Sequence, residues 1–386
     1  MRNLLLGIDA TNIRHGGGRT HLSELLAAAS PLQSGFSGVC VWGSKNTLEK
    51  LPIQPWLQKI WIPELDGGLL SRILWQKFSL GREARKIGCA VLFAPGGSFS
   101  TDFRPIITMS QNLLPFEWLE LKRYGWSAIT VKLFLLFWIQ RLSFKKADGL
   151  IFLSEYAEKI VNNRIGSYTR NFRIIPHGIA KRFYESPRPQ EAINNYTHSR
   201  PYRIIYVSII DVYKHQWEIL NAVYQLRKLT GFPITIEFIG PSYSKALKRF
   251  NKAVAKLDPE REWHVYHGSI NHEKLHELYL NADLGLFASS CENLPIILLE
   301  TMAAGLPIAC SNRGPMPEIL GEAGVYFDPE KPIEIMEALK KLIISPELRT
   351  ELSSMSYAMA QNYSWERCAS ETFQFLADTL KNNLEK

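Results

Sequence analysis

The stretch Leu286 to Gly305, LFASSCENLPIILLETMAAG, sets two carboxylates around a helix start. An apolar run ends near Ala288, and a small turn, Ser289-Ser290-Cys291, follows. Glu292 stands just before the helix. Asn293 is the expected cap, and Pro295 falls in the first turn, where its missing N–H loses no hydrogen bond. The helix continues through Ile296, Leu298, Glu300 and Met302 and stops at Gly305. Backbone N–H groups around Asn293, Leu294 and Ile296 then point out of the positive end of the helix dipole, an anion site suited to a diphosphate. Ile296, Ile297, Leu298 and Leu299 make this helix apolar nearly all round, so it is buried, and a buried carboxylate at Glu300 needs a partner. Taken singly, Glu292 is more often an ordinary solvated turn residue, and the plain alternative for Glu300 is a surface carboxylate. The residues by themselves leave both readings open.

Other candidates are less specific. His15-Gly16-Gly17-Gly18-Arg19 follows a first apolar strand and opens a helix, so Gly17 and Gly18 can admit a phosphate close to the backbone, or form a plain turn. The triplet is not G-x-G-x-x-G, so a nicotinamide or flavin site is not supported. His177 in IIPHGI sits at a strand-end turn, either touching a phosphate or packed. His272-Glu273-Lys274-Leu275-His276 matches H-E-x-x-H, but no third ligand accompanies it and its flanks are polar, so no metal is expected. No D-x-D turn follows a strand, and no G-x-S-x-G elbow occurs.

The elements that must position these residues read as alternating strands and helices. Strands are expected at Leu4–Ile8, Val39–Trp42, Ala90–Phe93, Ile106–Met109, Gly149–Leu153 and Phe172–Ile175. They recur at Arg203–Val207, Ile234–Ile239, His264–Tyr266, Leu284–Phe287, Pro307–Ala309 and Gly324–Tyr326. Such alternation predicts α/β architecture with parallel sheets covered by helices. The Pro-bearing polar stretch His177 to Arg200 is the expected linker. The chain thus divides into 1–185, 200–363 and a terminal helical segment, 364–386, which either packs on the second domain or crosses back to the first.

The chain has 386 residues, 46% apolar and 21% charged, the composition of a globular protein with real cores. Of the formal charge of +8, residues 1–186 carry +11 and residues 187–386 carry −3. A basic first half attracts phosphorylated ligands or anionic surfaces. Five widely spaced cysteines without a C-x-x-C pair predict buried thiols in a reducing compartment. The apolar run after Met1 is too short for a signal peptide, and no run is long enough to span a membrane. From Trp118 to Lys146, Lys122, Arg123, Lys132, Arg141, Lys145 and Lys146 alternate with Tyr124, Trp126, Phe134, Phe137 and Trp138. Cations beside aromatics suit peripheral contact with an anionic membrane; the plain alternative is a core helix with charged ends.

Glu292 and Glu300 stand in the E-x7-E spacing of glycosyltransferase family 4, and the chain resembles that family. NADLGLFASSCENLPIILLETMAAGLPIACSN and MPEILGEAGVYFDP look like its second-domain signature. GGGRTHLSELL, KKADGLIFLSEYAEK, IIPHGI, VSIIDVYKHQWEILNAV and EFIGP extend the likeness. The resemblance implies the GT-B fold, two Rossmann-like domains facing each other across a cleft, with the acceptor on 1–185 and a nucleotide-sugar donor on 200–363. It implies a retaining glycosyltransferase that passes a sugar to a saccharide, such as a lipid-linked oligosaccharide in bacterial O-antigen or capsule assembly, at the cytoplasmic face of the inner membrane. Glu300 would then hold the ribose, Glu292 the donor sugar, and Asn293 and Leu294 amides the diphosphate. Lys214 matches the Lys of the family's basic pair, and Gly240 falls in EFIGP. Ile209 stands at the usual Arg of that pair and Gln111 at the usual first-domain His, so Arg19, Arg313, Gln111 and His177 are the further candidates for phosphate or acceptor contacts. No cofactor and no metal are implied. The alternatives are a sugar-nucleotide epimerase on the same fold and a non-enzymatic binder of nucleic acid or an anionic surface. No nucleic-acid reading motif is present.

Overall fold

Apolar runs of four to eight residues separated by helix-length stretches can pair in parallel only if each crossover packs on a sheet face. The computed structural model describes residues 4–14, 16–166 and 171–385; His15 of the glycine loop lies outside them. The chain forms two units, Met1–Leu121 with Trp126–Gly178 and Ser364–Lys386, and Ile179–Tyr363 with Lys122–Gly125. Each is a Rossmann-like α/β domain.

The strands of the first unit are β1 (Leu4–Asp9), β2 (Phe36–Gly43), β3 (Leu57–Trp61), β4 (Cys89–Ala94), β5 (Ile106–Met109), β6 (Gly149–Phe152) and β7 (Phe172–Ile174). Among the described residues they make one parallel sheet in the order β3-β2-β1-β4-β5-β6-β7. Leu6, Ile8, Val41, Leu92, Phe93, Ile107 and Ile151 are buried in it. β3 was absent from the expected strands. Lys59 sits at its centre and its residues are half-buried or exposed, as suits an edge strand.

The segment after residue 364 is the helix Trp365–Leu384 and belongs to the first unit. Phe373 meets Phe36 edge-on at 6.3 Å, and Asn171 donates to Thr379 at 2.9 Å. At its start Gly178 lies so close that a Cβ would come within 2.2 Å of the Trp365 amide nitrogen.

The second unit contains β8 (Tyr202–Val207), β9 (Ile234–Ile239), β10 (His264–Tyr266), β11 (Leu284–Phe287), β12 (Ile308–Ser311) and β13 (Val325–Phe327). They form a parallel sheet ordered β10-β9-β8-β11-β12-β13. Strand order reverses between β8 and β11, and ligands of such sheets sit at the carboxyl ends beside that reversal. The expected linker is instead largely part of this unit, beginning at Ile179. Arg188 donates to the Leu280 carbonyl at 2.7 Å, Arg349 reaches the Glu191 carbonyl, and Phe183 is buried. Arginine side chains bonded to backbone carbonyls thus anchor a segment whose composition reads as a spacer.

All five cysteines are buried and unbridged. No helix among the described residues is long and apolar enough to cross a membrane.

Candidate functional site

The reversal in strand order puts the loop after β8, Ser208 to His215, beside the loop after β11, Ala288 to Pro295. Ser290 N–H donates to the Tyr213 carbonyl at 2.9 Å, and Ser290 Oγ lies 3.0 Å from His215 Nε2. His215 adopts φ of 55°, and burial lowers its imidazole to about 4, so it serves this tie as a neutral ring. Gln216 donates to Ser208 Oγ and to the Ile209 carbonyl, both at 2.9 Å. The two loops are therefore fixed to each other before any ligand arrives.

On this frame Lys214 Nζ makes an ion pair with Glu292 Oε1. Lys214 is 6% exposed, and its ammonium lies 4.9 Å from the Tyr213 ring centre and 5.7 Å from that of Phe287. The aromatic faces and the carboxylate hold the cation at one place. The sequence separates these partners by 78 residues; only the neighbouring of β8 and β11 joins them. Asp211, also in this loop, is pushed above its ordinary value by burial, against hydrogen bonds from the Val212 amide and the Tyr124 hydroxyl.

Gly240 has φ of 142°, and a Cβ there would come within 2.3 Å of the Ser208 carbonyl oxygen. Its N–H donates to the Gly268 carbonyl at 2.8 Å. The residue therefore lets the loops after β8 and β9 pass closely. That packing role stands on its own, whatever ligand contact the glycine also makes.

The helix after β11 differs from expectation at its start. It spans Ile296–Ala303, its N-cap position is Pro295, and no side chain caps it. Asn293 is buried two residues earlier and is not the cap. The Ile296 N–H donates to the Leu294 carbonyl at 3.0 Å, so of the three expected amides this one is already engaged. Pro295 has no side-chain acceptor, so the helix opens without a side-chain cap.

Glu300 is 2% exposed, as the apolar helix predicts. Burial raises its carboxyl above the ordinary 4.5, opposed by a hydrogen bond from His272 and the charge of Arg182. His272 Nε2 lies 2.7 Å from Glu300 Oε1. His276, the other half of the two-histidine motif, meets the Phe183 ring edge-on. His272 and His276 thus meet different neighbours.

Arg313 is engaged by Asp328 at 3.0 Å and Arg123 by Glu330 at 2.6 Å. Ile209 supplies no charge. Of the candidate cations, Lys214 is the one that the structure sets against Glu292.

In the first unit, Gly17 begins the helix Gly17–Ala28, with open space where its side chain would be. A Cβ on Gly18 would come within 2.8 Å of Gln111 Oε1, so the glycine admits that side chain. Gln111 also donates to Met109 Sδ at 3.3 Å, and Arg19 reaches Asn46 at 3.5 Å. His177 is buried: its Nδ1 is 2.7 Å from His21 Nδ1, with the Trp365 ring 5.8 Å away. This placement favours the packed reading of His177. With Cys368, these histidines form a group whose ligand atoms lie within 4.8 Å of one another. Burial pushes the Cys368 thiol up to about 12, and the two rings share one hydrogen bond, while His21 Nε2 is buried without a hydrogen-bond partner among the described residues.

Residues 189–359 match the family model of glycosyl transferases group 1. O-antigen chain mannosyltransferase B of Escherichia coli is 31% identical over 110 residues, 28% of this chain and 29% of that protein. The chain spans between 21% and 38% of the lengths of the first curated relatives that it matches. Two solved structures share the fold over nearly all of both chains. Sucrose-phosphate synthase from Thermosynechococcus elongatus has a TM-score of 0.75 at 16% identity, covering 99% of each chain. HepE of Anabaena in complex with UDP has a TM-score of 0.68 at 16% identity, covering 98% of this chain and 100% of that one. The two Rossmann-like domains are thus those of the GT-B fold, and Lys214, Gly240, Glu292, Asn293, Leu294 and Glu300 all lie in the domain that matches glycosyl transferases group 1.

Proposed function

We propose that the chain is a retaining glycosyltransferase that takes a sugar from a nucleotide-sugar donor held by the second unit. One observation carries this reading: the Lys214–Glu292 pair and the buried Glu300 lie around the carboxyl ends of β8 and β11, within the matched domain. Lys214 and the Asn293 and Leu294 amides would oppose charge growing on the departing diphosphate, which needs no metal. Glu292 would orient the sugar and Glu300 the ribose. A saccharide acceptor follows from the likeness to O-antigen chain mannosyltransferase B, and a lipid-linked oligosaccharide is the acceptor that we favour. A panel of UDP-, GDP- and ADP-sugars tests the reading by thermal stabilisation. Saturation at about 100 times Kd by one of them adds about 2.7 kcal/mol, a rise of a few degrees. No rise with any of them at millimolar concentration overturns the proposal.

The same reading places the protein at an anionic membrane. In the helix Ala128–Lys146, Val131, Phe134, Leu135, Trp138, Ile139 and Leu142 are exposed, although Leu133 and Phe137 are buried. In the helix Leu69–Phe78, Leu69, Leu70, Leu74 and Phe78 are exposed as well. Both helices pack on the loop after β4, through Gln76 with Ser100 and Ser143 with Phe99. Lys77, Lys132, Lys145 and Lys146 are exposed on these helices, and the Arg141 guanidinium lies 5.0 Å from the Trp138 ring centre. Apolar side chains with cations around them fit an anionic interface. Flotation with vesicles containing phosphatidylglycerol is expected, and Phe134→Glu with Leu142→Glu is expected to abolish it. Equal flotation with neutral vesicles, or none with either, counts against this contact.

A further inference from the structure

His272 has both ring nitrogens engaged, on opposite sides. Arg182 Nη2 lies 2.9 Å from Nδ1, and Nε2 lies 2.7 Å from Glu300 Oε1. A guanidinium only donates, so Nδ1 is an acceptor and the single ring proton sits on Nε2. From there it is donated to the carboxylate. The direction of the whole chain, Arg182 to His272 to Glu300, is fixed by its first member.

The carboxylate at the end of this chain is half satisfied. Glu300 Oε1 takes the imidazole N–H, whereas Oε2 is buried and has no hydrogen-bond partner among the described residues. A buried acceptor left in this way is costly, and such atoms mark places where a ligand supplies the missing donor. The three residues come from separate parts of the chain. Arg182 lies in the short helix Lys181–Phe183, His272 opens the short helix His272–Lys274, and Glu300 lies in the helix after β11. The Phe183 ring, 5.3 Å from the imidazole, backs His272 against rotation. Asn271 accepts the Glu273 N–H at 3.2 Å and so fixes the turn that carries His272.

We propose that His272, supported by Arg182, is a positioning residue for donor selection: it occupies Glu300 Oε1 and turns the carboxylate so that Oε2 accepts from a ribose hydroxyl of the nucleotide. This inference rests on the proposed reading of Glu300 as the ribose acceptor. It assigns a role to half of the two-histidine motif, which a chelating site does not explain. It also predicts selectivity rather than general affinity, because only a nucleotide with ribose hydroxyls can use the oriented oxygen.

The test compares the tightest-binding of UDP, GDP and ADP with its 2′,3′-dideoxy counterpart by isothermal titration. Wild type is expected to prefer the ribonucleotide by at least about tenfold, one hydrogen bond to a charged acceptor. His272→Leu removes both ring bonds and is expected to bring the ratio close to one, with affinity for the dideoxy compound unchanged. His272→Gln keeps an N–H within reach of Oε1 and is expected to restore most of the ratio. If His272→Leu weakens both nucleotides equally, or leaves the ratio intact, the proposal is overturned. Glu300→Gln separates this result from failure of the underlying reading. Loss of the ratio in Glu300→Gln but not in His272→Leu removes only the role of His272. A ratio that is near one in wild type, or unchanged in Glu300→Gln, removes the ribose reading and His272 with it.

Discussion

Replacing Lys214 with alanine is expected to lower the rate of sugar transfer by about 100- to 1,000-fold, the loss typical of removing one preorganised stabiliser of a developing anion. The cation is buried against Tyr213 and Phe287 and paired with Glu292, so it is held in place before the nucleotide binds. Neighbouring charges cannot take its place without breaking their own pairs: Arg313 holds Asp328 and Arg123 holds Glu330. Ile209 offers nothing in return. Because charge on the diphosphate grows as the sugar leaves, the deficit belongs mainly in kcat, with a smaller change in donor affinity. Lys214→Arg keeps the charge but enlarges the head group between two rings, so partial rescue is expected. Measurement of nucleoside diphosphate release over time, with saturating donor and an accepted saccharide, decides the matter. A kcat within tenfold of wild type in Lys214→Ala would remove the leaving-group role.

Acid is expected to loosen the first unit well above the pH at which its carboxylates titrate. Burial lowers the His21 imidazole from 6.5 to about 3 and drives His177 well below its ordinary value, helped by the neighbouring ring. Both histidines therefore stay neutral in the folded chain but take up protons near 6.5 once unfolded. Stability is fully present above about pH 6.5 and falls as pH drops toward the folded values, because the unfolded state binds more protons. Between pH 7 and pH 5 the loss is about 2 kcal/mol for the His21 ring, and His177 adds to it in the same direction. Trp365 and Cys368, which complete this cluster, belong to the terminal helix, so its attachment is the part at risk. Hydrogen exchange in Trp365–Leu384 is expected to accelerate at pH 5 relative to pH 7, after correction for intrinsic rates. Replacement of both rings in His21→Gln with His177→Gln should flatten that dependence. Protection that is equal at the two pH values in wild type would contradict it.

The alternation of apolar runs and helix-length segments carries most of the architecture. Twelve strands lie where β-rich patterns place them, because both sheets are parallel and their central strands are buried on two faces. β3 escaped because an edge strand needs no continuous apolar run, and Lys59 interrupts it. The burial of Glu300 follows from its apolar neighbours alone. Its partner does not: His272 and Arg182 are 28 and 118 positions away, and only the packed sheet brings them together. The same holds for Lys214 with Glu292. Asn293 illustrates a different limit. Its residue type suits a helix cap, yet Pro295 sets the helix boundary and no cap is made. His177 followed a strand, as a ligand contact would, but His21 from the helix Gly17–Ala28 turned it inward.

A crystal structure of the chain with the tightest-binding nucleoside diphosphate examines the central claim most directly. The phosphates should lie within hydrogen-bond distance of Lys214 Nζ and the Asn293 or Leu294 amide, with a ribose hydroxyl at Glu300. Phosphates bound away from the ends of β8 and β11, with Lys214 still closed on Glu292, would contradict the assignment.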